Sequence, residues 1–218
     1  MTYDEIRGDH AVNVYIAQAD ASLHALGFTE HSFAHVTKVA ETAGAILKQL
    51  GHADRDVELA KIAGYLHDIG NVVNRVDHSQ SGAVMAFRIL DRMDFPPEEI
   101  AAIVSAIGNH DEGTGVPVSP LAAALIIADK SDVRRSRVRS KEDIHSDIHD
   151  RVNYAVTDAK LEVFPEGDQI LLTLIIDPEI SSMMEYFEIF TKRMLLCRKA
   201  AQTLGCAFRL KINGQIVA

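Results

Sequence analysis

Ala63-Gly64-Tyr65-Leu66-His67-Asp68-Ile69-Gly70 is the stretch on which the reading of this chain turns. Val57, Ala60, Ala63 and Gly64 recur at helical spacing, so a helix is expected from about Asp56 to Leu66. His67 and Asp68 then fall at its end, where an imidazole and a carboxylate can face one point in space. A lone histidine on an apolar helix is more often a packed core residue than a ligand. Here it is not alone. His35, His67, Asp68, His78, His110 and Asp129 can each be placed at the end or on one face of a predicted helix. Imidazole and carboxylate suit a first-row divalent metal such as Mn, Fe, Co, Ni or Zn. Four histidines and two aspartates suffice for two metals if one aspartate bridges.

Working outward, the pattern from Thr2 to about Leu26 is helical and Gly27 ends it in a left-handed cap. Thr29 is the expected N-cap of the next helix, which runs to Leu50 and stops at Gly51. Its stripe is Val36, Val39, Ala40, Ala43, Ile46, Leu47 and Leu50. Further helices are expected over Ser79–Met93, Glu98–Asn109 and Pro120–Val138, with Pro96 and Pro97 at a helix start. After about residue 150 the composition changes. Leu161–Phe164 and Ile170–Ile176 read as strands joined by the turn Pro165-Glu166-Gly167-Asp168. A long helix over Ser181–Leu204 and a strand over Phe208–Ile212 complete the chain, with Asn213-Gly214 as a turn. The expected fold class is therefore mainly α: an all-helical core, residues 1–150, with a small C-terminal α+β appendage, residues 151–218. The appendage could be a separate lobe or pack on the helices. Met183, Met184, Tyr186, Phe187, Phe190, Met194 and Leu195 form an apolar stripe on its helix, read as core or as a homodimer seam.

The 218 residues are 47% hydrophobic and 24% charged, which excludes a disordered chain. The longest apolar runs, such as Leu121–Ala128, are too short to span a membrane. Met1–Arg7 lacks a secretory-signal pattern, and Cys197 and Cys206 form neither a disulfide framework nor a zinc motif. A reduced, cytoplasmic setting is expected. A net charge of -9 disfavours non-specific binding to nucleic acid polymers or anionic membrane.

Five segments, in order, resemble the HD superfamily of metal-dependent phosphohydrolases over about residues 30–140. They are His35-Val36-Thr37-Lys38-Val39-Ala40, the His67-Asp68 segment, Asp77-His78-Ser79-Gln80-Ser81-Gly82-Ala83, Ile107-Gly108-Asn109-His110-Asp111-Glu112 and Ile126-Ile127-Ala128-Asp129-Lys130. The resemblance implies that His35, His67, Asp68 and Asp129 hold one metal, that Asp68 bridges, and that His78 and His110 hold the second. It implies a metal-activated water as nucleophile, with Asp68 as the catalytic bridging ligand. Asn71 stands where many relatives carry lysine. The loop Gly113-Thr114-Gly115-Val116-Pro117 lacks the Gly-Tyr-Pro motif of the cyclic di-GMP branch. The six-ligand set resembles more closely the branch that contains dinucleoside polyphosphate hydrolases.

Lys130, Arg134, Arg137 and Arg139 make the stretch after Asp129 the most basic of the chain. On a continued helix Lys130, Arg134 and Arg137 share one face. Lys130 and Arg134 are the candidate substrate-phosphate contacts; the alternative is a solvated face, or ion pairs with Asp132, Asp143 or the appendage. His31, Asn71, Asp111, Glu112 and Arg137 are candidates around the ligands, orienting one of them, accepting a proton or touching phosphate. His31 could equally be an exposed first-turn histidine, and Asp111 and Glu112 helix-end charges. His10, His24, His52, His145 and His149 match no segment and read as surface or packing residues.

The reading that follows is a phosphohydrolase acting on a small phosphorylated metabolite, a nucleotide in the first instance, with two divalent metals per chain. Two rivals stand beside it. Some HD proteins with a similar ligand set hold a di-iron centre and oxidise an organic substrate with oxygen. A nucleotide-sensing binding module is the other.

Overall fold

The computed structural model describes residues 1–139 and 147–218. Asp9 divides the first expected helix. It closes α1 (Tyr3–Gly8) and its carboxylate accepts the Val12 N–H at 2.9 Å to open α2 (His10–Ala25). α2 ends, as expected, before Gly27 at φ +80°. The next cap is Ser32 and not Thr29, whose carbonyl is engaged by the His31 ring. Ser32 opens α3 (Phe33–Gln49), and α4 (Asp54–Leu66) packs along it. That contact needs Gly64: a Cβ there would lie 2.6 Å from the Ala40 Cα.

A short 3-10 turn, Ile69–Val72, leads from His67-Asp68 toward α5 (His78–Arg92) and α6 (Pro97–Gly108). α7 (Pro120–Lys130) lies at the centre, buried from Leu121 to Lys130 and packed on α3, α4 and α6. It stops well short of Val138. Ser131 turns its hydroxyl back to the Ala128 carbonyl at 3.0 Å, and Asp132 points inward to the His35 ring. These bonds compete with helix continuation. Residues 132–139 run irregularly, with one 3-10 turn at Arg135–Arg137. Lys130, Arg134 and Arg137 therefore share no helical face.

α8 (Ile148–Ala155), which the sequence reading lacked, leads into β1 (Val156–Phe164), β2 (Gln169–Ile176), α9 (Met183–Thr203), β3 (Ala207–Ile212) and a short β4 (Gln215–Ile216). β1 begins earlier than Leu161. The sheet order is β1-β2-β3-β4, with β2 and β3 parallel and the other pairs antiparallel. α9 is the crossover that a parallel pair requires. Ile170, Leu172, Leu174 and Ile176 alternate inward along β2. They belong to one apolar core that runs from Tyr3 to Ile212, so the appendage packs on the helices. In the α9 stripe Tyr186, Phe190 and Met194 are core, whereas Met184 and Leu195 are exposed. No described helix is long and apolar enough to cross a membrane.

Candidate metal centre

Six side chains from five places in the sequence converge at the inner end of one cavity. α3 supplies His35, the end of α4 supplies His67 and Asp68, and the first residue of α5 is His78. His110 follows α6, and Asp129 lies near the end of α7. All six are buried. Two groups could each hold an ion, His35–His67–Asp129 and His67–Asp68–His110, their donor atoms lying within 4.8 Å of one another. Asp68 lies between the histidines: its Oδ2 is 3.2 Å from His67 Nε2 and 3.6 Å from His35 Nε2, and its Oδ1 is 3.5 Å from His78 Nε2. His78 Nε2 is 3.2 Å from His110 Nε2.

Each ring is turned by its outer nitrogen. His35 Nδ1–H donates to Asp132 Oδ2 at 2.8 Å, His67 Nδ1–H to the Gly64 carbonyl at 2.8 Å, and His110 Nδ1–H to the Ile107 carbonyl at 2.6 Å. His78 Nδ1 lies 3.1 Å from the Arg75 carbonyl. With the proton on Nδ1, the Nε2 lone pair of each ring faces inward, the tautomer a metal needs. Among the described residues, His35 Nε2, His67 Nε2 and Asp68 Oδ2 are buried without a hydrogen-bond partner. Buried polar atoms left open cost free energy, and three converging on one point fit a cation. The donor set, nitrogen and carboxylate oxygen, suits a first-row divalent metal.

Backbone fit holds the ligands in place. A Cβ on Gly70 would lie 2.0 Å from the His78 carbonyl oxygen and 2.4 Å from the Gly82 nitrogen, so only glycine lets α5 start here. Asn71 Nδ2 donates to the Asp68 carbonyl at 2.9 Å and to its Oδ1 at 3.0 Å. Asn71 thus orients the central carboxylate. Burial would raise the Asp68 carboxyl, but His67 and His31 hold it well below the usual range. Burial pushes His110 down to about 3, and the nearby Lys130 ammonium acts in the same direction, so it stays neutral. Burial also lowers His78.

The cavity above these ligands has a volume of about 420 Å³. Its walls include His31, Asp111, Glu112, Lys130 and Arg137, together with Arg75, His149, Phe190 and Arg193, which the sequence reading did not assign to the site. Lys130 Nζ is 2.6 Å from Asp129 Oδ2 and 3.9 Å from Glu112 Oε1. His31 donates Nδ1–H to the Thr29 carbonyl at 2.7 Å, and its ring is 5.4 Å from that of His35. Asp111 Oδ1 is 4.0 Å from His78 Nε2. Burial opposes ionisation of Asp111, but Lys130 and His78 keep its carboxyl low. Arg134 is elsewhere: its guanidinium bonds Asp132 Oδ1 at 2.9 Å and Glu30 Oε2 at 3.3 Å, outside the cavity walls. His149 is an exposed side chain at the cavity edge, while His145 and Asp143 lie outside the described residues. His10 and His24 are exposed, as expected. Asp132 was seen in sequence only as an ion-pair partner of the basic stretch. Its bond to His35 spans 97 positions, and no local pattern announces it.

Comparison with known proteins agrees with this geometry. Residues 32–134, which contain all six converging side chains, match the family described as HD domain. This segment is an HD domain. The chain is 28% identical over 162 residues to an uncharacterized protein of Methanocaldococcus jannaschii, covering 64% of this chain and 62% of that one. It is 29% identical to ribonuclease Y of Mycoplasma mycoides, over 76% of this chain and 38% of that protein. It is 35% identical to ribonuclease Y of Desulforamulus reducens, over 49% of this chain and 20% of that protein. This chain thus spans less than two thirds of these relatives. A solved structure described as a predicted HD superfamily hydrolase from an uncultured Thermotogales bacterium aligns with a TM-score of 0.46 at 26% identity, over 57% of this chain and 67% of that one. The HD domain ends before Arg137, and Phe190 and Arg193 of the cavity wall come from beyond it.

Proposed function

We propose that this protein is a metal-dependent phosphohydrolase that cleaves a phosphoester or phosphoanhydride of a small phosphorylated metabolite, a nucleotide foremost. The observation that carries the reading is the convergence of His35 Nε2, His67 Nε2 and Asp68 Oδ2, buried and without partners among the described residues, at the foot of a cavity whose walls carry Arg75, Lys130, Arg137 and Arg193 beside several carboxylates. His35, His67, Asp68 and Asp129 would hold one divalent metal and His78 with His110 a second, Asp68 lying between. When bound, such ions acidify a water and neutralise charge developing on phosphoryl oxygens.

The chain's own residues supply the rest. Lys130, buried beside Asp129, offers its ammonium to a phosphoryl oxygen of the substrate. Asp111, kept ionised and 4.0 Å from His78, accepts the proton that the attacking water gives up. Phe190 and the residues of α8 limit the cavity to a volume in the range of small-molecule sites. Ribonuclease Y, by its name, acts on RNA. A nucleotide and an RNA present the same phosphoester chemistry, and the cavity favours the smaller of the two.

The test is phosphate release from a panel of nucleotides, bis(p-nitrophenyl) phosphate and a short single-stranded RNA, with Mn, Fe, Co, Ni and Zn supplied in turn. Metal-dependent release from a nucleotide, lost in Asp68→Ala, is the expected result. Full activity in Asp68→Ala would overturn the site. Turnover of the RNA alone would overturn the substrate size. Oxygen consumption without phosphate release would replace hydrolysis by oxidation. Tight nucleotide binding with no turnover under any metal would leave a sensing module.

A further inference from the structure

Arg137 is a buried cation that forms no ion pair with any carboxylate among the described residues. It is 5% exposed and lines the cavity. Its Nε donates to the Glu30 carbonyl at 3.0 Å and its Nη1 to the Asp132 carbonyl at 3.0 Å. Both acceptors are neutral backbone groups. Among the described residues no carboxylate forms an ion pair with it. The nearby carboxylate of Asp132 is already engaged by His35 at 2.8 Å, Lys38 at 3.0 Å and Arg134 at 2.9 Å. Removing a charge from water without a counter-charge is costly, and proteins keep such a group where a ligand completes it.

Arg193 of α9 lines the same cavity. Its guanidinium lies 4.3 Å from the centre of the Phe190 ring, which fixes its plane. Its Nε donates to Glu112 Oε1 at 2.6 Å. Burial lowers the Arg137 guanidinium against the pull of Asp132, Asp129 and Asp68, and Arg193 is close enough for its charge to add to that lowering. The lining also carries Asp111, Glu112, Asp147 and Asp150, but two arginines on one cavity, one of them ion-paired to no described carboxylate, describe a place for an anion. Lysine would supply charge but not the planar fork that meets two phosphate oxygens at once.

We propose that Arg137 and Arg193, both outside the HD domain, form a grip for a phosphate-type oxyanion of the substrate above the metal centre. The assignment of that oxyanion to a substrate rests on the phosphohydrolase reading; the grip itself rests on the arginines. It gives the C-terminal appendage a task, since α9 carries half of the grip. It also replaces the role that helical spacing assigned to Arg134.

The experiment is binding of inorganic phosphate to the metal-loaded full chain, by titration calorimetry and by the phosphate-dependent rise in Tm, with metal content measured for every variant. Arg137→Met is expected to bind phosphate at least roughly tenfold more weakly, the usual consequence of losing hydrogen bonds to a charged group. Its Tm should no longer rise with phosphate, and its metal content should be unchanged. Arg193→Gln is expected to weaken binding by a smaller factor. Arg137→Lys should fall between wild type and Arg137→Met. A purely structural Arg137 would lower the Tm of Arg137→Met and leave phosphate affinity intact, which overturns the proposal. Failure of the wild type to bind phosphate overturns it too. If Arg137→Met does not fold, Arg137→Lys and Arg193→Gln decide, and wild-type affinity in both is refutation. No step of this test needs turnover. Phosphate binding by a wild type that hydrolyses nothing, lost in the variants, would leave the grip standing and remove the hydrolase. Hydrolysis with unchanged phosphate affinity in the variants would do the reverse.

Discussion

Asp132→Asn isolates the bond that turns His35 toward the metal centre. The side chain is 1% exposed, and its two oxygens serve different partners. Oδ2 accepts from His35 Nδ1 at 2.8 Å; Oδ1 accepts from Lys38 Nζ at 3.0 Å and Arg134 Nε at 2.9 Å. An asparagine keeps the shape but has one acceptor oxygen. Turned toward the two cations, its amide N–H₂ opposes the His35 N–H. Turned the other way, the amide faces Lys38 and Arg134. Either orientation loses at least one hydrogen bond between charged or strongly polarised groups, about 1.5–3 kcal/mol in a buried setting. Loss of such a partner behind a metal-ligating histidine weakens metal affinity roughly 10–100-fold, and at about 1.4 kcal/mol per tenfold the two figures agree. Lys38→Met is the control: Lys38 is 42% exposed, so its ion pair contributes little. The assay is Mn²⁺ binding, followed by the loss of the free-ion paramagnetic resonance signal, with far-UV circular dichroism to verify folding. Equal Mn²⁺ affinity in folded Asp132→Asn, Lys38→Met and wild type would refute the role given to this carboxylate.

Three further outcomes are expected. Gly70→Ala, whose methyl would meet the backbone at His78 and Gly82, should lose about 3 kcal/mol of stability in urea unfolding and weaken metal binding through His78; a loss below about 1 kcal/mol would show that α5 can move aside. Chelation should lower Tm, because a metal present at a hundred times its Kd contributes about 2.7 kcal/mol; an unchanged Tm on adding and removing Zn²⁺ or Mn²⁺ would count against the centre. Glu185 caps α9, held down to about 2 by the Ser182 N–H and by Arg151. Between pH 4.5 and that value the unfolded chain binds more protons than the folded one, so stability falls as pH falls through this window. Glu185→Gln should therefore show a shallower decline in Tm between pH 5 and 2 than wild type, and parallel curves would contradict the cap.

The candidate metal donors were legible because each sits in a short segment whose neighbours set its helix position. Val36, Val39 and Ala40 place His35, and the helix ending at Leu66 places His67-Asp68. What surrounds the donors was legible only in part. The basic stretch looked helical because its spacing suits a helix, and nothing local reveals that Asp132 bonds a ring 97 positions earlier and ends α7. Thr29 satisfies the rule for an N-cap as well as Ser32 does; the His31 ring, folded back on the Thr29 carbonyl, decides between them. Asp9 suits a helix interior poorly, yet only its bond to the Val12 N–H shows that it starts a second helix. Arg193 was hidden inside a stripe read as core, and the stripe is core on the side of Tyr186 and Phe190. Arg75 and α8 carried no periodic signal. The strand pairing followed composition, but the parallel partnership of β2 and β3 depends on α9 crossing over, which no turn motif encodes.

That crossover sets an order of assembly. Every candidate metal donor lies between His35 and Asp129, so a ribosome that has passed Asp129 has delivered the whole candidate set and none of the wall that α9 supplies. Arg193 is made much later, and α9 is pinned only when β3 adds beside β2. The candidate metal donors are therefore synthesised well before the α9 wall of the cavity. The cavity wall that α9 carries is thus held in place only when residues through Ile212 have joined the sheet.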